Sequence, residues 1–250
     1  MIQIKTPEEI AAMRPCGRLS ARVLRKVGEL VRPGVSTYEL DRFAYDLINL
    51  EGGTPAFLGY NGYPASICTS INDQIVHGIP SPDVVLYEGD IVSIDVGAVV
   101  DGWVGDNAAT FAVGEVSAEL RQLIEVTEAS MWEGIGQAMA NAHVGDISFA
   151  VQSYAESYGY GVVYEYTGHG IGRKMHEEPN IPNFGRRGEG PLLREGMVIA
   201  IEPMINLGTA DTRGPYADKW TVFTADRKPS AHFEKTVAIT AEGPVVITEE

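Results

Sequence analysis

Glu88-Gly-Asp-Ile-Val-Ser-Ile-Asp95 and Glu195-Gly-Met-Val-Ile-Ala-Ile-Glu202 follow one pattern, 107 residues apart. Each opens on Glu-Gly, continues as an apolar strand and closes on an acid. Chance similarity between two apolar strands would not require the matched glutamate, glycine and terminal acid. The repeat points to an ancient duplication folded into a single domain, residues 1–250, with halves of about 1–115 and 116–250. A pseudo-two-fold structure would place both strands near its axis, each delivering a carboxylate at its end.

The flanking segments keep the same order in both halves. Thr6-Pro7-Glu8-Glu9 reads as a helix start, with Thr6 as cap, Pro7 in the first turn and Glu9 completing a capping box. Ser36-Thr37-Tyr38-Glu39 starts a second helix, whose buried stripe is Leu40, Phe43, Ala44, Leu47 and Ile48 and whose end is Gly52-Gly53. A loop rich in Gly, Pro and Tyr runs from Thr54 to Pro64, and strand-like segments follow to about Phe111. Leu120, Leu123, Ile124, Thr127, Met131 and Ile135 then mark a third helix. Asp146 is expected to cap a fourth, with Ile147, Ala150, Val151 and Tyr154 facing inward and Gly159 ending it. Strands fill most of the rest, so helix, helix, strands occurs twice: an α/β chain of the α+β kind. Gly34 before the second helix pairs with Gly145 before the fourth.

Asp95 closes the apolar run Ile91-Val92-Ser93-Ile94, where an acid is costly unless paired or bound to a cation. Asp101-Gly102 is a two-residue hairpin signal. Folding there puts Val100 opposite Trp103 and Gly97 opposite Asp106. Asp95 and Asp106 then become diagonal neighbours on one face. The second half adds Glu202, and Glu234 alternating with Thr236 and Ala238 in His232-Phe233-Glu234-Lys235-Thr236-Val237-Ala238-Ile239. Glycines flank His169 in Gly168-His169-Gly170-Ile171-Gly172 and allow close backbone approach. His77 and His176 lie in Val76-His77-Gly78-Ile79-Pro80 and Met175-His176-Glu177-Glu178-Pro179. Four crowded carboxylates repel without cations, and two divalent ions would neutralise them. Oxygen-rich donors with one imidazole suit Mn, Fe, Co or Zn, and not a closed structural zinc site. Two such ions can share a water and lower its pKa.

Composition removes other classes. The net charge is -15, against a general nucleic-acid binder. Two cysteines are no disulfide framework, and Cys16 reads as core. The N-terminus lacks an apolar signal core and no stretch is long and apolar enough for a membrane span, which points to a cytoplasmic protein. One basic region survives: Arg14, Arg18, Arg22 and Arg25 share a helix face. It reads as a solvated face or as a docking stripe for an acidic partner such as ribosomal RNA. Gly168-x-Gly-x-Gly lacks the context of a dinucleotide fingerprint, and no P-loop or G-x-S-x-G elbow occurs.

Several stretches together carry a family resemblance. They are Gly59-Tyr60-Asn61-Gly62-Tyr63-Pro64, Ser70-Ile71-Asn72 with Val76-His77-Gly78-Ile79-Pro80, and Gly89-Asp90-Ile91-Val92 through Asp95. Gly105-Asp106, Gly168-His169-Gly170-Ile171-Gly172 through His176-Glu177-Glu178-Pro179, Ile201-Glu202-Pro203-Met204, Trp220-Thr221 and Glu234-Lys235-Thr236 continue the match. In order and spacing the chain resembles type I methionine aminopeptidase over essentially its full length. The resemblance implies the pita-bread fold, with pseudo-two-fold halves around a curved antiparallel sheet. It implies two divalent ions held by Asp95, Asp106, His169, Glu202 and Glu234, with Asp106 and Glu234 bridging. Glu202 matches the general base that takes a proton from the bridging water. His176 matches the contact to the scissile carbonyl, and His77 the histidine near the leaving nitrogen.

The same resemblance places Tyr60, Tyr63, Cys68 and Trp220 around the methionine side chain. Phe57 stands where some members carry cysteine, and Met175 where they carry phenylalanine; both stay apolar. It implies removal of the initiator methionine from nascent chains whose second residue is small. The sequence shows no obvious interface, so a monomer is expected. A chain beginning Met1-Ile2 would keep its own methionine. Rival readings differ in sequence. Prolidase relatives add a domain before the catalytic one, and type II enzymes carry a helical insertion between Gly168 and Glu234. A non-catalytic peptide-binding module loses ligands, and a two-metal phosphoesterase wants cations beside its acids, where only Lys235 stands.

Overall fold

The computed structural model describes residues 1–250. Helix α1, Pro7–Gly28, begins as its sequence requires: Thr6 Oγ1 accepts the Glu9 N–H at 3.2 Å, and the Glu9 carboxylate accepts the Thr6 N–H at 2.9 Å. Helix α2, Thr37–Leu50, carries the same box between Ser36 and Glu39. Helix α3 spans Ala118–Gly136 and is capped by Ser117. Helix α4, Val144–Glu156, starts earlier than the expected Asp146 cap. His143 is the cap residue, and Asp146 acts from inside the first turn, its Oδ2 accepting the His143 N–H at 2.7 Å. The buried stripe of α4 is Val144, Ile147, Ser148, Val151 and Ala155; Ala150 and Tyr154 are only half-buried.

The repeat extends well beyond the two strands. Leu86 N–H donates to Val35 O at 2.9 Å, and Leu193 N–H donates to Ala142 O at 2.8 Å, each atom displaced by 107 residues. Thr37 N–H to Val84 O and Val144 N–H to Pro191 O keep the same displacement. So do the bridges Ser36–Val85 and His143–Leu192. This register corrects one pairing: Gly34 (φ 90°) corresponds to Asn141 (φ 72°), and Gly145 lies inside α4. The matched glycines of the two Glu-Gly pairs have a common cause. Gly89 and Gly196 turn into their strands at φ 92° and 87°, which a Cβ would strain.

The central sheet has nine strands, antiparallel in every pair. Its order is Thr54–Pro55, Ile91–Val100, Trp103–Ala112, Glu234–Thr240, Val198–Ile201, Gly168–Gly170, Glu177–Ile181. Ile67–Ile71 also pairs with the 91–100 strand, and Gly243–Val246 with the 234–240 strand. The pseudo-axis therefore passes between the 103–112 and 234–240 strands, and the repeated strands sit one place out on either side.

Alternation decides what each face carries. Val92, Ile94, Val96 and Ala98 pack against Leu19, Val23, Leu40 and Ile48 of α1 and α2. Ile199, Ile201, Val237 and Ile239 pack likewise against Met131, Ile135 and Ile147 of α3 and α4. Helices thus cover one face, and Ser93, Asp95 and Gly97 are left for the other. Burying each large aliphatic side chain here contributes about 1.5–3 kcal/mol. Cys16 is fully buried as expected.

The arginine stripe on α1 is half occupied by the chain itself. Arg22 binds Glu51 at 2.6 Å and Glu250 at 2.8 Å, and Arg25 binds Glu250 and Glu29 at 2.6 Å each. Arg14 and Arg18 form no ion pair and are exposed. No helix is long and apolar enough to cross a membrane.

Candidate metal centre

The centre is assembled by strand register. Asp101 (φ 51°) and Gly102 (φ 75°) form the tight turn, Val100 faces Trp103, and Gly97 faces Asp106 with no bulge. Asp95 faces Ala108, so Asp95 and Asp106 are diagonal on the helix-free face, as the turn dictates. Ser93 and Thr110 share that face and join by their hydroxyls at 2.8 Å. Ala108 also faces Glu234 on its other side. Lys235 faces Ile201, which sets Glu202 beside Glu234 just past the strand end. His169 comes from the strand whose Gly170 faces Ile199. Its flanking glycines are needed there: a Cβ on Gly168 would stand 2.3 Å from Ala200 O, and one on Gly170 2.2 Å from Glu178 O.

Five side chains from both halves thereby meet. His169 Nε2 lies 3.4 Å from Glu202 Oε1 and 3.9 Å from Asp106 Oδ2. Ligand atoms of Asp106, His169 and Glu234 lie within 4.8 Å of one another, as do those of Glu202, His232 and Glu234. His169 Nδ1 contacts Gly170 O at 2.9 Å; assigning the proton to Nδ1 turns the Nε2 lone pair toward the acids. His232 was visible in the sequence only as a neighbour of Glu234. Its spacing of two from that acid was the available signal.

The electrostatics are those of a cation site. Asp95 Oδ1, Asp106 Oδ1, Glu234 Oε1 and His232 Nε2 are buried without any hydrogen-bond partner. Burial pushes Asp95 up to about 7 and Glu202 up to about 8. Burial first, and neighbouring carboxylates second, lift Asp106 and Glu234 well above the usual range. Burial also pulls His169 and His77 down to about 4, keeping both imidazoles neutral. Buried acids with free lone pairs beside neutral imidazoles are the donor set that a divalent cation satisfies.

A cavity of about 250 Å³ opens onto these acids. Phe57, Tyr60, Tyr63, Cys68, Met175 and Trp220 line it, with His77 and His176, so every expected pocket residue is present. Asn61 lines it too and was not among the expected lining residues. The Tyr63 hydroxyl lies 3.0 Å from both Ile67 O and Gly78 O, which share its one proton, and the ring meets Trp220 edge-on at 5.0 Å. The Tyr60 hydroxyl lies 2.7 Å from His176 Nδ1, and the His176 ring stands 4.2 Å from that of His169. His77 packs against Tyr166 and Trp220. The loop bearing Met175 and His176 is tied down by a buried Lys5–Glu177 ion pair at 2.7 Å.

The chain as a whole, in sequence and in fold, is similar to known proteins. The model of metallopeptidase family M24 matches residues 11–241. The methionine aminopeptidase of Clostridium acetobutylicum is 50% identical over 248 residues, covering 99% of each chain. Methionine aminopeptidase 1 of Bacillus subtilis is 46% identical with the same coverage. The crystal structure of methionine aminopeptidase from Rickettsia prowazekii has a TM-score of 0.98 to this chain at 45% identity, covering 100% of both.

Proposed function

The chain belongs to metallopeptidase family M24, as a type I methionine aminopeptidase with the pita-bread fold, and from that premise we propose how its residues divide the work. It is a metal-dependent exopeptidase acting on N-terminal methionine. Asp95, Asp106, His169, Glu202 and Glu234 hold two divalent ions drawn from Mn, Co, Fe and Zn. The observation that carries this reading is the set of partnerless buried carboxylate oxygens on Asp95, Asp106 and Glu234, three residues that line one cavity together with Phe57, Met175 and Trp220. When bound, such ions lower the pKa of water, polarise a carbonyl and stabilise negative charge developing on its oxygen.

The protein's own groups do the rest. Phe57, Tyr63, Cys68, Met175 and Trp220 accept the methionine side chain, and the soft sulfur of Met175 suits a thioether. The substrate's free amine lies at the acids, which limits cleavage to one residue. Glu202 accepts a proton from the nucleophilic water at a carboxylate oxygen and passes it to the departing amine. Tyr60 engages His176 at Nδ1, leaving Nε2 for the carbonyl oxygen of the scissile bond. His77, fixed between Tyr166 and Trp220, meets the leaving nitrogen. The family resemblance adds the preference for a small second residue.

The same reading has the enzyme act in the cytoplasm, as a monomer, on nascent chains. Contact with ribosomal RNA would rest on Arg14 and Arg18, since Arg22 and Arg25 are already engaged. Methionine release that disappears on chelation and returns with one added divalent ion is the expected result. Release unaffected by complete metal removal would contradict it.

A further inference from the structure

We propose that His232 is a further protein ligand, so that each of two ions carries one imidazole: His169 on one and His232 on the other. This rests on the two-ion reading above and goes beyond it in ligand number and type.

His232 is 2% exposed, yet its Nε2 has no hydrogen-bond partner. A buried ring nitrogen left in that state costs free energy unless something occupies it. Its place is rigidly set. The His232 N–H donates to Thr110 Oγ1 at 2.9 Å, and the Thr110 hydroxyl donates to His232 O at 3.0 Å. Thr110 is in turn joined to Ser93, on the face that presents Asp95. The backbone that carries the imidazole is therefore fixed beside the strand that presents Asp95.

The distances fit coordination better than a hydrogen bond. His232 Nε2 lies 3.5 Å from Glu202 Oε2, beyond the usual N–H···O range of about 2.7–3.2 Å. Two neighbouring donors on one ion, each at about 2.0–2.2 Å, stand roughly 3–3.5 Å apart. His169 Nε2 holds the same relation to the other oxygen, Glu202 Oε1, at 3.4 Å. Glu202 thus faces one imidazole with each oxygen. Glu234 belongs to both three-residue groups, with Asp106 and His169 in one and with Glu202 and His232 in the other. A second nitrogen donor shifts the preference of the second ion from Mn toward Fe, Co or Zn.

The test counts imidazoles on the metal. In the fully loaded Co(II) protein, each coordinated histidine gives one strongly shifted, solvent-exchangeable ring N–H proton signal. We expect two such signals in the native chain and one in His232→Gln. Calorimetric titration with Co(II) should show the weaker ion losing more than about tenfold in affinity in His232→Gln, with the tighter ion unchanged. One signal in the native chain would overturn the proposal, even with two ions bound, and would leave His232 a hydrogen-bond neighbour of Glu202. No binding of Co(II) by the native chain would overturn the two-ion reading as well.

Discussion

Asp95 and Glu234 stand on opposite sides of Ala108, which faces the first across one strand pair and the second across the next. Two carboxylates from different halves of the chain are thus separated by a single buried methyl group. Ala108 is 1% exposed, so no larger side chain fits without moving one of them. Ala108→Val should cost about 1–3 kcal/mol of stability through overpacking. It should also weaken binding of divalent ions in calorimetry. Native-like affinity in a folded Ala108→Val protein would show that the spacing of these acids is not critical.

Metal-free protein should lose stability as pH rises from about 7 to 8.5. Asp95 and Glu202 titrate near 4 when unfolded but are raised to about 7 and about 8 when folded. The unfolded chain therefore binds fewer protons in this interval, and stability falls until the folded pKa values are passed. His77 and His169, lowered to about 4, act in the other sense. Their contribution is complete above the unfolded histidine value of about 6.5 and is lost only as pH falls toward 4. Above pH 7 the carboxylates alone set the slope. Melting curves should fall with pH in chelator but not with metal present; parallel curves would contradict the assignment.

Glu202→Gln keeps the shape of the side chain and removes the proton acceptor. Turnover should fall by roughly 10²–10⁴-fold. Metal content measured alongside separates loss of the base from loss of a ligand. Near-native turnover with metal bound would remove Glu202 from the proton-transfer role.

Gly97 packs closely behind Phe57 and Met175, two residues of the cavity proposed to take the methionine side chain. A Cβ there would lie 2.7 Å from Phe57 Cε1 and 2.9 Å from both Ala56 Cβ and Met175 Cε. Gly97→Ala should lower kcat/KM for methionyl peptides by about tenfold or more, mainly through KM, as one misplaced methylene does in a tight apolar pocket. An unchanged KM would show that the side chain binds elsewhere.

What was legible in the sequence was whatever local chemistry fixes. Asp101-Gly102 determined a turn, the turn a register, and the register the meeting of Asp95 with Asp106. The capping boxes placed α1 and α2, and the 107-residue repeat announced the two halves. The misreadings have physical reasons. Asn141 adopts the left-handed turn that glycine marks at Gly34, so the repeat there is structural and not literal. His143 is an unusual helix cap, which drew the start of α4 toward Asp146. Pairing of Arg22 and Arg25 with Glu250 joins residues more than 200 positions apart, which no local pattern encodes. The approach of His232 to Glu202 has no local signature, because it follows from the pairing of His232 with Met204 on a strand far away in sequence.

The most direct measurement is methionine release from Met-Ala-Ser and Met-Ile-Ser peptides by chelator-stripped protein, with Mn, Co, Fe or Zn added back singly. No release is expected without metal, and added metal should restore release from the alanine peptide only. Folded protein that releases methionine from neither peptide with any of the four ions would contradict the proposed function.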